Sequence, residues 1–135
     1  MRRLLFVASS FAIALPASAA VPIDGKWLTG GGKSIVEIGP CGAMLCGRVY
    51  RLLAEIKGAP TDRNNPNPAL RARPLLGLNI LLGFRDAGKQ WEGKIYDPER
   101  GKTFRSVVFR NADGTLAVKG CISFLCQTQT WKPLR

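Results

Sequence analysis

Four cysteines carry the most specific chemistry in the chain. Cys41 with Cys46 and Cys121 with Cys126 form two C-x4-C pairs. A four-cysteine zinc site would show tighter C-x2-C knuckles, so the spacing favours disulfides over metal, provided the compartment is oxidising. Histidine is absent. That removes Ser-His and Cys-His nucleophiles, His-ligated metals and the usual switch near neutral pH. Asp97 and Glu99 could act as a carboxylate pair, but they flank Pro98 in an ordinary turn. Asn111 to Gly114 reads as a hairpin turn rather than a calcium loop. No GxSxG, phosphate-binding loop or HExxH occurs, and a non-catalytic protein without metal or cofactor is expected.

The compartment follows from the N-terminus. Met1, Arg2 and Arg3 precede an apolar run from Leu4 to Leu15, and Pro16, Ala17, Ser18, Ala19 and Ala20 bring the small residues of a peptidase site. The run is about a dozen residues, against roughly 20 for a spanning helix. Residues 1–20 therefore read as a cleaved signal peptide, cut after Ala19 or Ala20. Residues 21–135 read as a single domain with no transmembrane segment, periplasmic or secreted, in which the cysteines oxidise.

Lys plus Arg number 20 against 9 Asp plus Glu, a formal charge of +11 that falls to +9 when Arg2 and Arg3 leave with the leader. In an exported protein such a charge points to anionic lipid, lipopolysaccharide or glycan rather than to nucleic acid. The plainer reading is a basic surface that aids solubility.

Period-two alternation positions these groups. Ser34, Val36, Ile38, then Trp91, Gly93, Ile95, then Leu116, Val118, Gly120 recur on one phase, and no helical stripe is sustained. Turn residues at Gly30 to Gly32, Asp86 to Gly88, Asp97 to Gly101 and Asn111 to Gly114 separate the runs. Strands are predicted over 25–29, 33–39, 45–52, 78–85, 90–96, 102–110, 115–121 and 125–132. Eight strands joined by tight turns make an all-β, antiparallel up-and-down barrel, whose interior fills with side chains or holds one small ligand. Ile80, Leu82, Phe84, Trp91, Ile95, Leu116 and Val118 share the interior phase.

The exception is the connection from Leu53 through Gly77, 25 residues without alternation. Asn67 suits an N-cap, Pro68 the first helical position, and Pro74 ends a turn over Ala69 to Arg73. It reads as a folded lid, with a passive surface loop as the alternative. Up-and-down topology then puts this loop, the Asp97 to Gly101 turn and the Cys121 to Cys126 hairpin at one end, with Cys41 to Cys46 at the other. Strands of about seven residues separate the ends by roughly 20 Å, whereas a disulfide needs Cα atoms within about 7 Å. The bridges are therefore Cys41–Cys46 and Cys121–Cys126, each across a four-residue loop at directly opposed positions. Asn64, Asn65, Arg71, Arg73, Arg100 and Tyr96 gather as donors around the mouth, suited to an anionic head group. Arg71 and Arg73 could instead tie the loop to carbonyls and to Asp62 or Asp97. The apolar tip Ile122 to Leu125 is expected to plug the barrel.

Gly25-Lys26-Trp27, the cysteine hairpin running into Gly47, the run from Asp62 to Leu78, then Trp91, Gly93, Ile95-Tyr96-Asp97-Pro98, Gly101-Lys102-Thr103 and Gln127 to Trp131 together resemble the bacterial family known as domain of unknown function 2147. The resemblance spans nearly the whole chain after the leader. It implies a secreted, lipocalin-like barrel. Gly25 and Trp27 look like the lipocalin first-strand motif, in which the tryptophan packs across the closed end under a basic residue near the end of the last strand. Here Trp131 is followed by Lys132, Pro133, Leu134 and Arg135, so the strand should stop by Lys132, and the cation should be Lys132 or Arg135 if there is one.

The function expected is an exported carrier of a small amphipathic or hydrophobic ligand, of fatty-acid or lipid type. Its expected contacts are Asn64, Asn65, Arg71, Arg73, Trp91 and Tyr96. The alternative is an envelope protein using its basic surface on anionic lipid, lipopolysaccharide or glycan.

Overall fold

In a computed structural model, which describes residues 4–14, 18–53 and 60–135, the alternating segments become eight strands. These are β1 (Gly25–Leu28), β2 (Ser34–Cys41), β3 (Met44–Leu52), β4 (Asn79–Asp86), β5 (Trp91–Asp97), β6 (Lys102–Arg110), β7 (Leu116–Ile122) and β8 (Leu125–Pro133). Each pairs antiparallel with its sequence neighbour, and β8 returns to β1, closing the barrel in the order predicted. The lower end holds the chain from Ala20 to β1, the β2–β3, β4–β5 and β6–β7 turns and the end of β8. The upper end holds the β1–β2, β5–β6 and β7–β8 turns and the long connection.

The lower half is solid. Trp27, Trp131, Phe84, Ile23, Leu81, Leu116, Val36, Val108 and Val118 are all nearly inaccessible and form one cluster. Packing there is tight enough that a Cβ added at Gly93 would lie 2.8 Å from the Phe84 ring. Trp27 opposes Val36 on one side and Pro133 on the other, so the first-strand tryptophan does span the closed end.

Several expectations need correction. The register of β4 shifts between Leu82 and Arg85, at Gly83 with its φ of +59°. This bulge puts Leu81 in the interior with Phe84 and turns Leu82 outward, opposite Lys94. β8 runs on to Pro133 rather than stopping at Lys132. Pro133 stands at a non-hydrogen-bonded position opposite Trp27, and the next amide, Leu134, donates to the Lys26 carbonyl, so the missing N–H costs nothing. The cation over Trp27 comes from neither Lys132 nor Arg135. It is Arg110, at the end of β6, with its guanidinium 5.1 Å from the ring centre.

The disulfides join the predicted partners, with Cα separations of 5.5 Å for Cys41–Cys46 and 4.1 Å for Cys121–Cys126. Only the second links directly opposed residues. Cys41 opposes Met44 and Cys46 opposes Gly39, so the first bridge is diagonal. Both hairpins close in two-residue turns, because β2 runs as far as Cys41 and β3 begins before Cys46, while β7 and β8 both extend beyond their cysteines to the turn. The tip beyond Cys121–Cys126 does not plug the barrel. Ile122, Phe124 and Leu125 are 66%, 85% and 69% exposed.

Candidate functional site

Among the described residues, the long connection is ordered by its own polar groups. Asn67 caps a short 3-10 turn over Pro68–Leu70, accepting from the Ala69 amide at 3.1 Å. The helical turn is shorter than the sequence implies, since Arg71 already leaves it as the C-cap. Amides of Asp62 and Leu75 donate to the carbonyls of Arg73 and Pro60, folding the segment back on itself.

At its centre lies a buried carboxylate. Asp62 is fully inaccessible. It accepts from the Tyr96 hydroxyl at 2.5 Å, from Asn65 Nδ2 at 2.8 Å and from Arg73 Nε at 2.8 Å. Burial pushes its pKa up, but those donors and the Arg73 charge together outweigh burial and hold the carboxyl below its ordinary value. Burial and then the Asp62 carboxylate push the Tyr96 phenol up. The pair is thus phenol and carboxylate at neutral pH. The sequence marks Asp62 only as a tie for Arg71 or Arg73, and its link to Tyr96 leaves no periodic trace because 34 residues separate them.

Tyr96 lies on the outward phase of β5, since its neighbour Ile95 opposes Leu81 and Phe104 inside. The loop therefore packs on the outer wall of β4 to β6, and the expected donors do not ring the barrel opening. Between loop and wall is an open cleft of about 450 Å³, bordered by Asn65, Arg73, Leu78, Leu82, Tyr96 and Thr103. Three of the six expected contacts, Asn65, Arg73 and Tyr96, meet here. Arg71 turns its Nε to the Asn65 carbonyl at 2.8 Å. Asn64 spans to the carbonyls of Pro98 and Glu99. Trp91 is elsewhere, at the lower end of β5, half-buried, with its indole N–H on the Val21 carbonyl at 2.9 Å.

Gly101 locks loop to turn. Its φ is +63°, and a Cβ there would fall 1.8 Å from the Asn64 carbonyl oxygen. No side chain fits on either count.

The interior changes character toward the top. Ile95 and Phe104 are half-buried, and Gln127 and Gln129, on the same face as Trp131, are exposed while Trp131 is 2% exposed. Solvent therefore reaches the upper inner-face side chains, whereas the lower ones are sealed. Above the upper ones an ion pair crosses the mouth. Lys33 Nζ on the β1–β2 turn meets Glu99 Oε1 on the β5–β6 turn, four strands away around the cylinder, at 2.6 Å. Hydrogen bonding to Glu99, and then its charge, raises the lysine pKa. Both side chains are mostly exposed, so the crossing contributes little to stability.

No group of three or more Cys, Asp or Glu among the described residues could hold a metal ion, and no described helix is long and apolar enough to cross a membrane. Residues 25–133 match the family profile described as "Uncharacterized protein conserved in bacteria (DUF2147)". A solved structure, "Protein HP1028 from the human pathogen Helicobacter pylori belongs to the lipocalin family", superposes with a TM-score of 0.76 at 28% identity, over 86% of this chain and 85% of that one. No curated protein matches.

Proposed function

The chain belongs to this bacterial family, with a lipocalin-like barrel, and on that premise we propose that it is an exported, non-catalytic binding protein for a small amphipathic ligand of fatty-acid or lipid type. The fold itself is one that binds small hydrophobic molecules in general. The observation that carries the reading is the contrast along β8, where Trp131 is sealed while Gln129 and Gln127 on the same face are exposed. The apolar part of the ligand lies against Ile95 and Phe104, inside the lip formed by Ile122 and Leu125. Arg73, whose terminal guanidinium nitrogens have no hydrogen-bond partner among the described residues, offers a place in the outer-wall cleft, which Asn65 borders, to an anionic head group that reaches over the β5–β6 rim. Asn64, Arg71 and Tyr96 hold the loop that supplies them. The two disulfides fit the oxidising compartment this requires.

The test is organic-solvent extraction of the purified protein with mass spectrometry, followed by displacement of a fluorescent fatty-acid probe. The reading expects a co-purified lipid or a saturable probe site, weakened by Gln129→Trp, which fills the upper cylinder. No extractable lipid together with no probe binding overturns it.

A second reading has its own support. Ile122, Phe124 and Leu125 form an exposed apolar tip above the Cys121–Cys126 bridge, on a strongly basic protein. Such a tip suits an anionic lipid surface. Binding to anionic vesicles that falls steeply with salt and is lost in Phe124→Ser favours this reading, whereas salt-insensitive probe binding favours the first.

A further inference from the structure

The lower end of the barrel is closed by a segment that precedes β1, and its residues from Ala20 to Ile23 are each held by a hydrogen bond. The Ala20 amide donates to both Asp86 carboxylate oxygens, at 3.0 and 3.1 Å. The Val21 carbonyl accepts from the Trp91 indole at 2.9 Å, the Pro22 carbonyl from Arg110 at 3.5 Å, and the Ile23 carbonyl from the Trp27 indole at 3.0 Å. Ala20 is 6% exposed and the Ile23 side chain fully buried in the core. Immediately upstream the grip ends. Ser18 and Ala19 are exposed, as are all of residues 4–14, and none of these described residues hydrogen-bonds to the barrel. The boundary between free and held chain thus falls between Ala19 and Ala20, directly after the small residues Ala17, Ser18 and Ala19.

Asp86 adds a second, independent observation. It has no ion-pair partner among the described residues, and its other bond is from the Gly88 amide at 2.8 Å. A carboxylate with both oxygens on one backbone nitrogen is the geometry that receives a cation. Here the nitrogen carries no charge while it belongs to a peptide bond.

We infer that the chain is processed between Ala19 and Ala20, and that the new α-ammonium group of Ala20 forms an ion pair with Asp86 that fastens the floor of the barrel. Water adds across the Ala19–Ala20 amide under an envelope peptidase that reads small residues. The Ala19 carbonyl leaves as the carboxylate of the leader, and the Ala20 nitrogen takes the protons to become the ammonium. A cut after Ala20 would discard the nitrogen that Asp86 holds and start the chain at Val21, which is 56% exposed. Cleavage thereby supplies the positive charge that the Asp86 site lacks. The inference does not depend on any ligand.

The full chain, expressed with its own leader and recovered from the bacterial envelope fraction, tests the first half by intact mass and N-terminal sequencing. Ala20 is expected as the first residue. A first residue of Val21, or an uncut chain, overturns the inference. For the second half, the α-amine of the processed protein is labelled by 13C reductive methylation and titrated by NMR. Its pKa is expected above the ordinary range of about 7.7–8.0, returning to that range in Asp86→Asn, which keeps the oxygen that accepts from Gly88. An ordinary pKa in the unaltered protein, which requires no variant to fold, overturns the ion pair.

Discussion

The Tyr96 hydroxyl donates to Asp62 Oδ1 at 2.5 Å, tying the centre of the long loop to the outer wall of the barrel. Removing the donor by Tyr96→Phe leaves Asp62 with Asn65 and Arg73. A loss of about 1.5–3 kcal/mol is expected for a hydrogen bond to a charged group. Denaturant unfolding measures the loss, and hydrogen exchange should show faster opening at the Asp62 and Leu75 amides than at those of β7.

Acid reads the same site. The folded pKa of Asp62 is below its unfolded value, so its contribution is complete above the unfolded pKa and fades as pH falls through the folded one. The difference in Tm between the protein and Asp62→Asn should therefore be constant from neutral pH to about 5 and shrink below the ordinary carboxyl range. A difference that grows on acidification contradicts the placement.

Much of this architecture was legible beforehand because turn residues and alternation are local signals. Gly-rich and Asp-Gly turns fixed all eight strands to within a residue or two, and their spacing fixed both disulfide partners. What escaped depends on non-local geometry. The Gly83 bulge exchanges Leu82 for Leu81 on the inner face, which strict alternation cannot express. Arg110 reaches Trp27 from the sixth strand, and Tyr96 reaches Asp62 on the outside of the wall, so the donors predicted for the mouth serve largely to fasten the loop.

The two bridges make separate contributions. Each closes a loop of six residues including the cysteines, for which chain entropy gives roughly 2 kcal/mol. Paired serine replacement at 121 and 126 should lower stability by about that much and loosen the Ile122 to Leu125 tip, leaving the lower core intact. A non-reducing peptide map should show Cys41 with Cys46 and Cys121 with Cys126 only.

Breaking the span across the mouth should alter rates more than stability. Glu99→Gln removes an exposed pair that contributes little to stability. If Lys33 and Glu99 obstruct the way in, association of a fatty-acid probe quickens in the variant and, in the unaltered protein, quickens with salt. Unchanged association in both shows that ligand does not pass between them.

Beneath Trp27, Arg110→Ala removes both the cation over the ring and the donor to the Pro22 carbonyl. A cost of about 1–2 kcal/mol is expected, with a change in tryptophan fluorescence.

The ring of strands is not equally sealed along its height. β8 meets β1 only at Lys132 and Pro133, and among the described residues its backbone from Leu125 to Thr130 has no partner on that side. Although the barrel is closed, β8 thus keeps, above that contact, a short rail of amide and carbonyl groups that faces no strand, with Gly30 of the β1–β2 turn packed near Gln129. Its side chains there, Gln127 to Thr130, carry no charge to repel a like strand. At high concentration this rail, rather than the basic remainder of the surface, is where copies of the molecule would add to one another edge to edge.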